Sequence, residues 1–280
     1  MPERYSRKEF LRRALATTAG VAASQGLFQT KHASAGSQHR TPPDPDSPLK
    51  DTRRLVTLSF DDGFRKSSLR TAEIFERFEL SACINVIASG HLADQPLPDE
   101  YHRWPKGDFG LWRELRDRGH EIMPHGYRHA DLSAMPLQEA KDLIQRCLDI
   151  FIQELPGFDP SRAVFNFPYN RSTPELETWL GTQVRGFRTG GPAINPLPTP
   201  QTVRLTCTSY GPDTIDRHLE TQVQELLDLE SGWLVYNTHG IDDEGWGPVS
   251  SRYLENLLER LTEMDSVAVV PAAAVLNAVT

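Results

Sequence analysis

The chain has 280 residues, of which 38% are hydrophobic and 24% charged, with a formal net charge of -8. That suffices for one large domain or two small ones with a sizeable core, and excludes wholesale disorder. The acidic balance argues against a nucleic-acid partner, and no run is long and apolar enough for stable membrane insertion as a stop-transfer helix.

Residues 1–35 read as an export signal. Arg4, Arg7, Lys8, Arg12 and Arg13 form a basic head, and a mildly apolar stretch runs from Ala14 to Phe28. Ala33-Ser34-Ala35 is a cleavage site that would start the mature chain near Gly36. Ser6-Arg7-Lys8-Glu9-Phe10-Leu11 looks like a twin-arginine signal with Lys in the second basic place. A plain secretory signal is the alternative. Either route makes the protein periplasmic or extracellular. Residues 36–52, with Thr41-Pro42-Pro43-Asp44-Pro45, read as a linker without a core.

From residue 53 to the end, strand-like runs alternate with helix-period segments. Arg54–Phe60 is rich in β-formers, and Ser67–Phe78 has a helical apolar face. Ala82–Ala88 is a second apolar run. Leu111–Arg118 is helical and stops at Gly119, and Glu121–Pro124 is a short strand. Leu137–Leu155 is a long amphipathic helix, Ala163–Phe167 a strand, Glu175–Leu180 a helix and Gln183–Thr189 a further strand. After Ile215–Leu229 (helix) comes the buried strand Gly232–Asn237; Tyr253–Leu261, Ser266–Val270 and Ala272–Val279 complete the series. About seven strand–helix repeats in this length predict one domain, an open or irregular (β/α) barrel, with a doubly wound sheet as the alternative. Cys83, Cys147 and Cys207 are dispersed and odd in number, so they read as small buried hydrophobes.

In either fold, chemistry belongs at the C-terminal ends of strands. Asp61 and Asp62 follow the first strand. Two adjacent carboxylates there repel, and a cation offsets that repulsion. His125 and His129 stand four apart, a spacing that puts both imidazoles on one face of a helical turn. With Asp62 they make two histidines and one carboxylate, with positions left for water and substrate; zinc is the default ion, and other first-row divalent ions suit the same donors. His239 follows Gly232–Asn237, where it can give a proton to a leaving group or simply cap the loop. Asp242 and Asp243 are near enough in sequence to orient it. Pro168-Tyr169 ends another strand, either as a plain stop or with the Tyr169 backbone N–H as an oxyanion donor.

Together these residues resemble the polysaccharide deacetylases, the NodB-homology group of carbohydrate esterases. Ser59-Phe60-Asp61-Asp62-Gly63, His125-Gly126-Tyr127-Arg128-His129, Pro168-Tyr169 and Leu234–His239 match four of its motifs in order. The resemblance runs from about Arg54 to the end of the chain. It implies an irregular (β/α)7 barrel that hydrolyses an N-acetyl group from a glycan. It also implies Asp61 as general base, Asp62, His125 and His129 as metal ligands, His239 as general acid and the Tyr169 N–H on the oxyanion. The sequence departs from the pattern at Asn166, where many members carry an Arg that orients the catalytic Asp; Arg188 is a candidate substitute. Gly126 stands in the usual Ser/Thr place and Asn170 in the usual Gly place. The Asp-Trp element is missing, so His239 has no assigned partner. Trp246, in the loop after His239, is the best candidate for stacking on a sugar. The competing readings are hydrolysis of another acylated substrate by an esterase or amidase, and an inactive carbohydrate-binding homologue.

Overall fold

A computed structural model of the chain describes residues 52–92 and 104–279. The export signal and all but the last residue of the linker lie outside the described residues. In chain order the elements are β1 (Arg54–Phe60), α1 (Arg65–Arg77), β2 (Cys83–Val86), α2 (Phe109–Asp117) and β3 (Glu121–Pro124). Then come α3 (Leu137–Glu154), β4 (Val164–Asn166), α4 (Pro174–Leu180), β5 (Gly186–Gly190), β6 (Ile194–Asn195) and β7 (Arg204–Cys207). The chain ends with α5 (Asp216–Asp228), β8 (Gly232–Thr238), α6 (Ser251–Thr262), β9 (Val267–Val269) and α7 (Ala272–Ala278).

Two parallel sheets curl around one interior. One runs β3-β2-β1-β8, the other β4-β5-β7. They meet where Thr208, just past β7, pairs in parallel with Tyr236 of β8, and the Asn237 N–H donates to Thr208 O at 2.9 Å. At the opposite seam, between β3 and β4, side chains make the junction: Asn166 Nδ2 lies 3.4 Å from Pro124 O. The result is an α/β fold in which seven parallel strands form the wall and β9 adds a further parallel one, with an irregular closure, helices outside and a mostly parallel sheet inside.

Two short strands explain the irregularity. β1 pairs with β2 only at its end, Ser59 and Phe60, and with β9 at its start, Arg54–Val56. Antiparallel β6 likewise pairs with the first half of β8, at Trp233 and Leu234. Both wedges sit at the N-terminal ends of the long strands. They hold that end of the sheet open, while the C-terminal ends converge.

The period-two alternation of the strands divides the core. Outward residues such as Val56, Leu58, Leu234 and Tyr236 pack under the helices. Inward Leu55, Met123, Val164, Leu205, Trp233 and Val235 form a lower apolar plug, closed beneath by Ala272, Ala273, Val275 and Leu276 of the last helix. Above that plug the interior is polar, with Thr57, Ser59, Asn85, Asn166, Arg188 and Asn237 all buried. Trp233 Nε1 donates to Thr57 Oγ1 at 2.9 Å, marking the boundary. The three cysteines are buried and free.

Most elements stand where the pattern places them. Helix α2 starts two residues earlier than read, because Asp108 caps it: its side chain accepts from the Leu111 N–H at 2.9 Å. Strands β6 and β7 were not anticipated.

Candidate active site

Asp61 continues β1 by donating its N–H to Thr238 O at 2.8 Å. The chain then turns sharply, with Asp62 at φ 72 and Gly63 at φ 67. A Cβ on Gly63 would stand 3.0 Å from the Trp112 ring and 3.1 Å from Val86, so only glycine fits here. The turn drives the Asp62 carboxylate into the interior.

The two histidines converge by a different route from the one expected. Residues 125–131 form a loop, not a helical turn, with Gly126 at φ 79 and His129 at φ 51. The loop is held against the segment after β2, where the Ala88 and Ser89 N–H groups donate to Gly126 O and Tyr127 O, each at 3.0 Å. Those ladder bonds compete with helical i→i+4 bonds and prevent a helix. The left-handed residues then swing His129 back toward His125, and their ring centroids lie 5.0 Å apart.

The Asp62, His125 and His129 ligand atoms all lie within 4.8 Å of one another, and all three residues are buried. Asp62 Oδ1 is 3.3 Å from His129 Nε2 and 3.5 Å from His125 Nε2. Both Asp62 oxygens and His125 Nε2 are buried without a hydrogen-bond partner. Three orphaned buried polar atoms aimed at one point fit a divalent cation, and the donor set suits zinc. His125 Nδ1 lies 2.9 Å from Asn166 O. A carbonyl only accepts, so Nδ1 carries the proton and Nε2 keeps its lone pair for the ion.

Asp61 Oδ2 lies 3.5 Å from His125 Nε2, and the carboxylate is held from three strands. Asn85 Nδ2 of β2 donates to its Oδ1 at 2.7 Å, while Arg188 Nη2 of β5 and Asn237 Nδ2 of β8 both donate to its Oδ2 at 2.5 Å. Burial alone would raise the Asp61 pKa, but the charges of Arg188, His125 and His239 outweigh it and hold the carboxyl below its usual value. Burial is likewise outweighed at Asp62, chiefly by His129, and the group stays ionised. Burial pushes His129 down to about 4, against the pull of Asp62. At His125 the two aspartates overcome burial and raise the pKa. His239 is lowered by burial against the opposing pull of both aspartates.

A cleft of about 420 Å³ opens over these groups, lined by Asp61, His125, His129 and His239, with Tyr169 and Trp246 at its walls. The Tyr169 ring lies 4.5 Å from the His129 ring, and its backbone is left-handed at φ 56. His239 meets Trp246 edge to face at 5.1 Å, and its Nδ1 has no hydrogen-bond partner. Neither nearby aspartate orients it. Asp242 instead accepts from the Ser251 N–H at the start of α6, and Asp243 pairs with Lys66. The cleft therefore gathers Asp61, His125, His129, Tyr169 and His239, and Asp62 lies buried against the two histidines. Asn85 and Asn237 were missed. Their signal was a lone amide in each of two apolar runs, Cys83–Val86 and Gly232–Thr238. A second cavity, of about 190 Å³ around Glu121 and Phe158 at the opposite end of the strands, holds none of them.

The family model for polysaccharide deacetylases matches residues 49–183. Residues 49–183 belong to the polysaccharide deacetylase family. The matched span of this deacetylase domain includes Asp61, Asp62, His125, His129 and Tyr169, while Arg188, Asn237 and His239 lie beyond it. No curated protein matches the sequence. Solved structures do match the fold. A candidate polysaccharide deacetylase from Mycobacterium smegmatis superposes with a TM-score of 0.62 at 14% identity, covering 85% of this chain and 94% of its own. The peptidoglycan deacetylase PdaC from Bacillus subtilis gives 0.51 at 15% identity, with 82% and 93% covered. A family 4 acetyl xylan esterase from Clostridium thermocellum, in complex with a cobalt ion, gives 0.51 at 18% identity, with 78% and 87% covered. At these identities the likeness is one of fold.

Proposed function

We propose that the protein is a metal-dependent hydrolase that removes N-acetyl groups from an N-acetylated glycan. The observation that carries this reading is the pairing of two carboxylates with different surroundings. Asp62 has bare oxygens facing two histidine nitrogens, and Asp61, just before it in the chain, accepts from donors on three strands and keeps a lone pair for the cleft. One is built to ligate, the other to stay anionic and take a proton.

Asp62, His125 and His129 would hold the ion. When bound, it would polarise the acyl carbonyl and acidify a water. Asp61 accepts the proton of the attacking water. The Tyr169 N–H donates to the oxygen on which charge develops. His239, at the wall of the cleft, gives a proton to the departing amine. Trp246 offers a flat apolar face to a sugar ring. The basic leader with Ala33-Ser34-Ala35 supports export, so the substrate would be met outside the cytoplasm; the N-terminal residue of the protein recovered from the cell exterior tests this, with Gly36 expected.

The test is acetate release by the purified protein from chitin oligomers, peptidoglycan and acetyl-xylan, alongside its metal content. A free-amine product on an amino sugar supports the reading. Release from acetyl-xylan alone would make the protein an esterase. Stoichiometric metal with no release from any substrate would overturn the assignment.

A further inference from the structure

Arg188 is the one arginine or lysine among the buried described residues, at 1% exposure. A guanidinium is not desolvated without a compensating charge nearby, and this one ends on Asp61 Oδ2. The register of β4 against β5 explains how it arrives there. Asn166 and Arg188 are direct parallel partners, so both side chains project inward at the same height. Arg188 is long enough to reach Asp61 across the interior. Asn166 is not: its Nδ2 donates to Asn85 Oδ1 at 2.9 Å. That bond settles which way the Asn85 amide points, because its oxygen is engaged by Asn166 and its nitrogen is left to donate to Asp61 Oδ1.

We infer, resting on the hydrolase reading above, that Arg188 is the positioning residue for Asp61, and that Asn166 acts on the same carboxylate at one remove, through Asn85. Arg188 and Asn237 fix Oδ2, and the Asn166–Asn85 pair fixes Oδ1. Together they set the plane of the carboxylate, and so which of its lone pairs faces the cleft. Loss of Arg188 leaves the ligand set untouched but frees the carboxylate to rotate and strands a buried anion.

The experiment uses the full chain loaded with zinc. It compares wild type with Arg188→Met, Arg188→Lys, Asp61→Asn and the double variant Arg188→Met/Asp61→Asn. Bound zinc stays at one ion per chain in Arg188→Met, kcat falls on the order of a hundredfold, and KM stays within twofold. Arg188→Lys, which keeps the charge but not the planar fork, recovers part of the loss, and it carries the kinetic result if the Met variant does not fold. Asn85→Ala and Asn166→Ala each lower kcat severalfold, and together no further than Asn85→Ala alone. In thermal unfolding, Arg188→Met lowers the melting temperature and adding Asp61→Asn restores most of it. Unchanged kcat in Arg188→Met, or additive effects on melting, would overturn the inference. Should wild type release no acetate, the hydrolase reading fails, and the melting cycle still decides whether Arg188 holds Asp61.

Discussion

At the scale of single residues, the site turns on how two neighbouring aspartates are kept apart in role. Asp62→Ala and His129→Ala each remove a proposed ligand and should abolish stoichiometric metal binding, whereas Asp61→Asn should keep the ion and lose turnover by about a thousandfold; metal analysis beside acetate release checks both. The pH dependence of metal binding follows from His125. Its raised pKa means that Asp61 and Asp62 hold a proton on the ring when no ion is present. An ion must displace that proton, so apparent affinity is full above the raised pKa and falls about tenfold per pH unit below it. His129, held at about 4, is already neutral there and adds nothing until the solution is more acidic. Zinc titrations between pH 5 and 8 would show the slope; a flat profile would contradict it. Asp61, Asp62, His125, His129 and His239 were legible from strand-end position and spacing. Of the donors around Asp61, Arg188 was named only as a candidate by resemblance, and Asn85 and Asn237 were not legible, because the three meet only through the registers of three strands.

At the scale of elements, the N-terminal end of the barrel depends on Glu121. This first residue of β3 is buried, and its carboxylate accepts from the Ala273 and Ala274 N–H groups of α7, at 3.2 and 3.0 Å. Burial raises its pKa to about 7 despite those donors. The sign follows from linkage: the folded state holds the proton more tightly than the unfolded chain, so this contribution to stability is full below the ordinary pKa near 4.5 and lost as pH rises toward 7. The loss amounts to at most about 3 kcal/mol. Glu121→Gln should therefore melt with a flatter pH profile than wild type between pH 4.5 and 8, and parallel profiles would count against this account. Elements of eight or more residues were legible from period and caps. Of the two wedge strands, β9 was legible as Ser266–Val270 and β6 was not. Ile194–Asn195 is too brief to show alternation, and Pro196, Pro198 and Pro200 mark its surroundings as loop. β6 pairs there because the splayed sheet leaves an unpaired edge on β8, which no local pattern announces. The helical reading of His125–His129 failed for a related reason: the loop's backbone is engaged by the segment after β2.

At the scale of the whole molecule, the wedges open one end of the barrel and the converging strand ends form the other. The apolar plug closes the lower interior, so the polar groups above it face a single cleft. Trp246, 40% exposed, stands at its edge. Trp246→Ala should raise KM by up to about tenfold with kcat nearly unchanged, the signature of lost ring stacking; a fall in kcat alone would place Trp246 in the chemistry instead. The barrel, open or irregular, was legible from the alternation of strands and helices, whereas the places of its seams were not.

The most direct test of the metal-dependent deacetylase account is a single turnover series on N-acetylglucosamine oligomers. The purified protein is stripped by a chelator and then titrated with zinc, with free amine and acetate both measured. The account predicts no product from the stripped protein and equal amounts of amine and acetate that rise with zinc and level off at one ion per chain. Full activity in the stripped protein, or none after saturation with zinc or another first-row divalent ion, would contradict it.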